Sequence, residues 1–377
     1  MKRIIYGITL SLALLFMGNC TREHGVGVYE EGEVLMLFAP TRSVSYPQSA
    51  EDNIETLRLI IFKSNSLGTE GELILNTTIP VPAPGNDTIK DVKVMVPVGY
   101  LNIYLIANES ADMNLSTATT LADIRAARVD YSIAAANNHL TPSFPMFSEY
   151  KAVRVNVDGD IISTHNGITK VGGITYVDVV RVVAKLTVTM DCNFSDLLGS
   201  WAIALDSARL VSMPLKPWLS TNIKYIGSST DFFDSEWDDI SSHVVDKYTG
   251  VNITGFEIIN GFVFYLPEHI VDPANSGRYT YLEIRGHLVA RPDAMIVYTI
   301  PICEGLGLTV GSTEYTIKYL KEHHDLVPSG YLSIVRNTHY KLHLRVKSYG
   351  DEDVLQPIEF DMKITDWEHV VNVPLGN

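Results

Sequence analysis

Cysteine, positive charge and long apolar segments are all scarce in this 377-residue sequence. Its three cysteines, Cys20, Cys192 and Cys303, are too few for a disulfide-stapled scaffold, and none lies in a CxxC or zinc-type spacing. Lys and Arg number 29 against 44 Asp and Glu, which gives a formal net charge of −15. That balance disfavours a general nucleic-acid-binding protein, which needs basic side chains to neutralise phosphate. It also disfavours simple electrostatic docking on an anionic membrane.

The N-terminus contains the one segment that has the form of a targeting signal. Lys2 and Arg3 precede a predominantly apolar, uncharged run from residue 4 to 17, and Gly18-Asn19-Cys20 follows. The run is too short to span a bilayer comfortably and is typical of a signal-peptide core. A small residue before a cysteine is typical of bacterial lipoprotein signals, although Asn19 stands where Gly, Ala or Ser is usual. We therefore predict that residues 1–19 are removed and that Cys20 carries lipid; an ordinary signal peptide with an incidental cysteine is the alternative.

Export leaves two alternatives for the remaining cysteines, Cys192 and Cys303. Both follow apparent strands, and an oxidising compartment permits a disulfide between them. Two buried free thiols are an equally good prediction, because cysteine is a common small core residue.

The sequence contains no motif of a catalytic, cofactor or metal site. GxSxG, P-loop, dinucleotide-binding and HExxH patterns are all absent. The adjacent His323 and His324 point apart on a strand or a helix, and His339 and His343 are separated by roughly 13 Å along a strand. The acidic cluster at 231–239 lacks EF-hand spacing and is typical of a solvated loop. We expect no enzyme, no cofactor and no metal.

Alternation of apolar and polar residues predicts half-buried strands at residues 181–190, 280–288 and 339–347. Strands with one wet face favour antiparallel sandwiches over a doubly wound parallel sheet. The pairs Asp158-Gly159 and Asn260-Gly261 predict two-residue hairpin turns, and Asn166-Gly167 is a third candidate.

Helix signals are few. Thr120 and Asp123 form a predicted capping box that opens a short helix to about Arg128, and residues 194–200 and 314–322 are two further candidates. The sequence therefore predicts an all-β protein with a few short helices. We divide it into a signal peptide at 1–19, an N-terminal segment at 20–42, an N-terminal domain at 43–178 and a C-terminal domain at 179–377.

Several short strings occur in a specific order along the chain. They are an apolar strand at 33–38, APTR at 39–42, EDNIETLRLIIF at 51–62, VPVGYLNIYLIANE at 96–109, FPM at 144–146, RVVAK at 181–185, YLPE at 265–268, RNTHY at 336–340 and DW at 366–367. In this order and spacing, from the signal to about residue 370, the sequence resembles the fimbrillins of Bacteroidales, which are the subunits of type V pili.

The resemblance implies two transthyretin-like antiparallel β-sandwich domains and a lipoprotein precursor held at the outer membrane by its lipid. It also implies that an Arg-specific surface protease removes an N-terminal strand, so that a neighbouring subunit can insert a strand into the groove left behind. The removable strand would contain five apolar residues, namely Val34, Leu35, Met36, Leu37 and Phe38. Arg42 follows them and would be the processing site, whereas an ordinary surface arginine is the alternative reading.

The donor strand implied by the resemblance lies at the C-terminus, where Val371, Val373 and Leu375 share one face of a strand. The alternative is a last strand that pairs only within its own domain. The implied function is a structural subunit of a cell-surface fimbria whose partners are other fimbrial subunits; stalk, tip and anchor roles are not separated by these strings. A monomeric surface lipoprotein that binds glycan or host protein through Trp201, Trp218 or Trp237 is the alternative.

Overall fold

The computed structural model describes residues 33–41, 53–81, 89, 92–130, 144–162, 165, 167–171, 173–193, 203–220, 232–246, 255–272, 274, 278–289, 291–346 and 358–366. Strands dominate these residues, as the alternating sequence patterns predict. The strands that build the first half are β1 (Glu33–Thr41), β2 (Leu57–Ser64), β3 (Glu70–Ile79), β4 (Val92–Pro97), β5 (Gly99–Ala107), β6 (Met146–Val155), β7 (Ile168–Val171), β8 (Ile174–Asp178) and β9 (Val180–Arg181).

The second half contains thirteen further strands among the described residues, several of them only two residues long. They are β10 (Val183–Asn193), β11 (Ile203–Val211), β12 (Met213–Pro214), β13 (Phe232–Phe233), β14 (Asp238–Asp239), β15 (Val245–Asp246), β16 (Gly255–Pro267), β17 (Tyr281–Leu288), β18 (Arg291–Pro301), β19 (Thr309–Val310), β20 (Thr313–Glu314), β21 (Thr338–Val346) and β22 (Ile358–Asp366).

Two pairs of sheets form two β-sandwiches. In the first, sheet 1 has the strand order β4-β1-β8-β7 and faces sheet 2, ordered β3-β2-β5-β6-β9. In the second, sheet 3 is ordered β15-β16-β10-β21-β22 and faces sheet 4, ordered β14-β11-β17-β18. The predicted all-β sandwich class is confirmed, although β1 with β8 and β10 with β21 are parallel pairs. The predicted domain limits at 43–178 and 179–377 stay a prediction.

Each sandwich encloses its own apolar core. The first core combines Met36 and Val94 of sheet 1 with residues of sheet 2 such as Leu59 and Leu105. The second core contains Leu186 of sheet 3 and Ile284 of sheet 4. Because each strand places alternate residues on opposite faces, β17 and β21 alternate strictly between buried and partly exposed positions.

A third apolar cluster covers the outer face of sheet 2. Ile60 and Tyr104 of that sheet pack there with Leu121 and Ile124 from the connection between β5 and β6. Val183 and Leu219, which begin or follow strands of the second sandwich, belong to the same cluster. Sheet 2 is therefore buried on both faces, and the second sandwich packs against the first.

Hydrogen bonds and a ring contact reinforce this contact between the sandwiches. The Arg128 guanidinium lies 3.4 Å from the centroid of the Trp218 ring, and the Leu219 amide donates to the Ala127 carbonyl. Arg336, whose side chain is 6% exposed, donates to the Leu219 carbonyl at 2.6 Å and pairs with Glu268 at 2.6 Å. We call this region the junction.

The short helices agree with the predictions where the structure describes them. The first helix, α1 (Leu121–Ala126), starts at Thr120, whose hydroxyl and the Asp123 carboxylate form the predicted capping box. The second, α2 (Ile317–Glu322), lies within the predicted segment 314–322 and is capped by Thr316. The helix predicted at 194–200 lies outside the described residues.

Of the three predicted strands, those at 280–288 and 339–347 are confirmed as β17 and β21. The third, at 181–190, is divided between the two sandwiches. Arg181 ends β9 and pairs with Met146 of the first sandwich, whereas β10 begins at Val183 and belongs to the second.

The hairpin predicted at Asn260-Gly261 is wrong, because both residues lie inside β16. The register with β10 pairs Val188 with Phe262 but Met190 with Ile258, so three residues of β16 face one residue of β10. Gly261 has φ +57°, and an added Cβ would approach the Thr187 methyl group to 2.9 Å. The positive φ expected for a turn is used for a bulge instead.

At Asp158-Gly159 a turn is present, with Gly159 at φ +81°, but it is longer than two residues because Val155 bridges to Ile161. Gly167 also has a positive φ, of +84°, directly before β7. Its neighbour Asn166 lies outside the described residues.

Candidate functional site

The predicted removable strand, β1, lies in the interior of sheet 1. On one side it runs antiparallel to β4, with pairs from Glu33 opposite Pro97 to Phe38 opposite Val92. On the other side its last three residues run parallel to β8, and Thr41 lies opposite Asp178. Among the described strands, β4 therefore pairs only with β1, whereas β8 pairs with β1 on one side and with β7 on the other.

The register of β1 places every second one of its apolar residues opposite a buried valine of β4. Met36 is fully buried and lies opposite Val94, and the register places Val34 opposite Val96. On β4, Val92, Val94 and Val96 are buried while Lys93 and Met95 are exposed. This alternation in VKVMVP is the sequence signal that could have identified β4 as the strand beside β1.

The predicted processing site follows the end of β1 directly. β1 ends at Thr41, and Arg42 itself lies outside the described residues, as does the predicted lipidation site Cys20. The neighbouring Asp178 is fixed by the Tyr150 hydroxyl, which donates to its carbonyl at 2.7 Å. Burial, followed by the nearby Asp178 carboxylate, raises the pKa of Tyr150. Two residues after Asp178 the chain enters β9 and the junction, so β1 ends next to the second sandwich.

The predicted donor residues Val371, Val373 and Leu375 also lie outside the described residues. β22, the strand before them, ends at Asp366, which lies opposite Thr338. β22 is an edge strand of sheet 3. The Asn337 amide donates to the Val183 carbonyl at 2.7 Å, which places this end of β22 at the junction as well.

The two cysteines that follow Cys20 are free and buried. Of the two alternatives predicted for Cys192 and Cys303, the structure contains the pair of buried thiols. Burial raises the pKa of the Cys303 thiol to about 12, so this thiol stays protonated at neutral pH.

Two of the four histidines singled out in the sequence, His339 and His343, lie on β21 and contact the neighbouring strand β10 of sheet 3. His339 Nε2 lies 2.9 Å from the Thr187 hydroxyl, and His343 bridges the Thr189 hydroxyl and the Asp191 carboxylate at 2.9 and 3.0 Å. Within the part of the chain that the structure describes, no three His, Cys, Asp or Glu side chains form a group that could hold a metal ion.

Charged residues cover the tryptophans that could mark a glycan site. Arg128 lies over Trp218, and the guanidinium groups of Arg209 and Arg285 lie 4.7 and 3.9 Å from the Trp237 ring centroid. Trp201 lies outside the described residues. Among the described helices, none has the length and the hydropathy that a bilayer span requires.

The sequence between Pro40 and Val188 matches a protein family. Residues 40–188 fit the family model described as "Major fimbrial subunit protein (FimA)". The predicted resemblance to the fimbrillins is confirmed. The matched residues contain β8, one of the two strands that pair with β1, and all of β4, the other. No curated protein sequence matches the chain.

Solved structures of fimbrial proteins share the fold. The tip fimbrial protein Mfa3 from Porphyromonas gingivalis, solved with a C-terminal truncation, is similar with a TM-score of 0.57 and 19% identity, over 89% of this chain and 100% of that one. A fimbrilin (fimA) from Porphyromonas gingivalis W83 is similar with a TM-score of 0.54 and 14% identity, over 89% of this chain and 97% of that one. At these identities the likeness shows the fimbrillin fold alone.

Proposed function

We propose that this protein is a structural subunit of a cell-surface fimbria, exported as an outer-membrane lipoprotein, which joins other subunits by strand exchange. The observation that carries the proposal is the interior position of β1 between β4 and β8. A strand that is removed from the middle of a sheet leaves a vacancy that only another strand can fill.

Loss of β1 without a replacement strand would destabilise an isolated subunit. β1 forms six residue pairs with β4 and three with β8, so its loss leaves backbone groups of both strands without partners. It also uncovers the apolar side chains of β4 that pack around Met36. An inserted strand restores the hydrogen bonds and the burial together, as in other complexes that form by strand addition.

The C-terminal segment has the pattern that this position requires. Val34, Met36 and Phe38 recur every second residue and lie opposite the buried valines of β4. Val371, Val373 and Leu375 repeat the same spacing, which supports the C-terminal segment as the donor.

Cleavage at Arg42 accounts for both activation and release from the membrane. The bond between Arg42 and Ser43 lies one residue beyond the end of β1 at Thr41, so cutting there by an Arg-specific surface protease detaches the whole strand. The same cut separates the subunit from the lipid on Cys20. A cut at Arg22 would leave β1 in place and could not open the sheet.

Mass spectrometry of the mature chain from native cells tests this proposal. We expect a chain that begins at Ser43, and an Arg42→Ala variant that folds but forms no polymer, whereas Arg22→Ala behaves like the wild type. Normal fibres from Arg42→Ala would contradict activation at this bond. A mature chain that begins at lipidated Cys20 would favour a fimbrial anchor subunit or a monomeric surface lipoprotein; a tip subunit is a further alternative that this measurement does not separate from a stalk subunit.

Lipidation is tested separately by metabolic labelling with palmitate. We expect Cys20→Ala to abolish labelling and to leave an unprocessed or mislocalised precursor, because a thioether needs the thiol. Labelling of Cys20→Ala at the wild-type level would show that Cys20 is not the lipid site.

A further inference from the structure

Two loops in the first sandwich are built on the same hydrogen-bond plan. In the loop at 65–69, the Asn65 side-chain oxygen accepts from the Leu67 amide at 2.9 Å and the Thr69 amide at 3.0 Å. The Gly68 amide donates to the Asn65 carbonyl at 3.0 Å, and Gly68 has φ +75°. We call this the first Asn loop.

The loop at 156–160 repeats this plan, and we call it the second Asn loop. The Asn156 side-chain oxygen accepts from the Asp158 amide at 3.0 Å and the Asp160 amide at 2.8 Å. The Gly159 amide donates to the Asn156 carbonyl at 3.0 Å, and Gly159 has φ +81°. Because an Asn side chain that accepts from the following amides fixes the turn locally, both loops are rigid.

Both Asn loops lie at one end of the first sandwich. β2 ends at Ser64 opposite Tyr100, and β6 ends at Val155 opposite Gly99, so the loops flank the start of β5. The strand order β2-β5-β6 separates them by two strand spacings, or about 10 Å. We call this end, opposite the junction, the distal end.

The distal end presents aliphatic side chains to solvent. Leu67 in the first Asn loop is 88% exposed, Val157 in the second is 58% exposed, and Ile162 just after the second is 48% exposed. Leu67 has the highest exposure among the large apolar side chains that the structure describes. Neither turn requires an apolar residue at these positions, since the hydrogen bonds that the Asn side chains accept come from backbone amides, which any residue except proline supplies.

The distal end is also one of the two mouths of the site occupied by β1. Glu33, the first residue of β1, lies opposite Pro97, two residues before Gly99. The other mouth lies at Thr41 and Asp178, and there the chain passes within a few residues into Val183 of the second sandwich. A strand that replaces β1 must connect to its own subunit through one of these mouths.

The junction mouth lies beside the start of this chain's own second sandwich at Val183, so the body of another subunit would compete with that sandwich for this position. We infer that the subunit supplying the strand docks its folded body on the distal end, against Leu67, Val157 and Ile162, and that its donor strand runs in the same direction as β1. This inference rests on the proposed strand exchange and specifies the surface and the polarity that the exchange uses. Rigid loops that present apolar side chains suit such docking, because little conformational entropy is lost on contact.

Substitution of the exposed aliphatic residues tests the inference with full-length subunits cut by an Arg-specific protease. The double variant Leu67→Ser with Val157→Ser should keep the wild-type melting temperature, since both side chains are exposed. The subunit concentration that gives half-maximal SDS-resistant ladders should rise by about tenfold or more, as for central residues of an interface. Leu326→Ser, a change at a leucine that is 68% exposed in the second sandwich, is the matched control and should leave that concentration unchanged.

A photo-crosslinking residue at position 67 gives a second readout in otherwise unchanged subunits. Crosslinks from position 67 to the neighbouring subunit, absent from position 326, would support docking at the distal end. Two results would overturn docking at the distal end. One is that the double variant forms ladders at the same subunit concentration as the wild type. The other is that the chain labelled at position 67 forms ladders without intermolecular crosslinks. If cleaved wild-type protein forms no ladder at all, the proposed strand exchange is wrong, and this inference is wrong with it. If the wild type forms ladders but the variants behave as just described, only docking at the distal end is wrong.

Discussion

Replacing Met36 by alanine should destabilise the precursor and have no effect on the assembled fimbria. Met36 is fully buried in the first core, opposite Val94. Truncating a buried methionine to alanine removes its apolar contacts and leaves a cavity, which costs about 2–5 kcal/mol. We expect Met36→Ala to lower the free energy of unfolding of the uncleaved chain by that amount in urea titrations.

The same substitution is absent from the mature subunit if cleavage after Arg42 removes β1. Ladders formed by cleaved Met36→Ala subunits should therefore dissociate at the same temperature and guanidinium concentration as wild-type ladders. Met146→Ala provides the matched control, because Met146 is fully buried in the same core but lies on β6 and stays in the mature chain. It should weaken both forms.

Two results would refute the reasoning. Loss of stability of less than about 1 kcal/mol in the uncleaved Met36→Ala chain would show that β1 does not fill the core as described. Equal destabilisation of precursor and ladder would show that β1 remains in the assembled subunit.

Three further predictions concern other parts of the chain. Changing Arg58 to alanine should cost about 1–3 kcal/mol of unfolding free energy, because its 8% exposed side chain loses charge-assisted hydrogen bonds to the partly buried Glu109, at 2.6 and 2.7 Å, and a hydrogen bond to Asn76. Lys63→Ala, at an exposed pair, should cost less than about 1 kcal/mol, and equal effects in urea titrations would contradict this. Burial lowers the pKa of His269 from 6.5 to about 3, so the unfolded chain binds a proton there that the folded chain rejects, and stability is lost as pH falls from about 6.5 towards 3. His269→Gln should reduce that slope by up to about 1.4 kcal/mol per pH unit, and an unchanged difference between variant and wild type from pH 7 to 4 would refute it. Deleting residues 370–377 should leave the melting temperature of the monomer unchanged and abolish SDS-resistant ladders; ladders from the truncated chain would rule out this segment as the donor.

Local sequence signals predicted those elements whose pattern depends on immediate neighbours. The alternation at 280–288 and 339–347 gave β17 and β21 because each strand has one face in the core and one in solvent. The capping box at Thr120 gave α1 because its two hydrogen bonds lie within four residues. The bulge at Gly261 could not be separated from a turn, because both use a positive φ and only pairing with β10 decides between them.

Features of the fold that depend on residues far apart in the sequence could not be predicted from local sequence patterns. The apolar run at residues 59–62 of β2 shows no alternation because sheet 2 is buried on both faces, by the first core and by the segment that contains Leu121 and Ile124. The apolar sequence of β1 predicted a buried strand, but its parallel pairing with β8 joins residues more than a hundred positions apart. The lipid, protease and donor residues lie outside the described residues and stay predictions.

The split pairing of β1 has a consequence for the lifetime of a cleaved subunit. β4 pairs with β1 alone among the described strands, and β8 is joined to β4 only through β1, so sheet 1 without β1 separates into a lone strand and the β7–β8 hairpin. An isolated hairpin is marginally stable in water, and a lone strand is not stable at all. Cleavage at Arg42 would thus limit the lifetime of the free subunit. The subunit would have to receive its new strand before sheet 1 comes apart and surface proteases degrade it. Processing and assembly would then have to occur at the same place, with no reservoir of cleaved monomers between them.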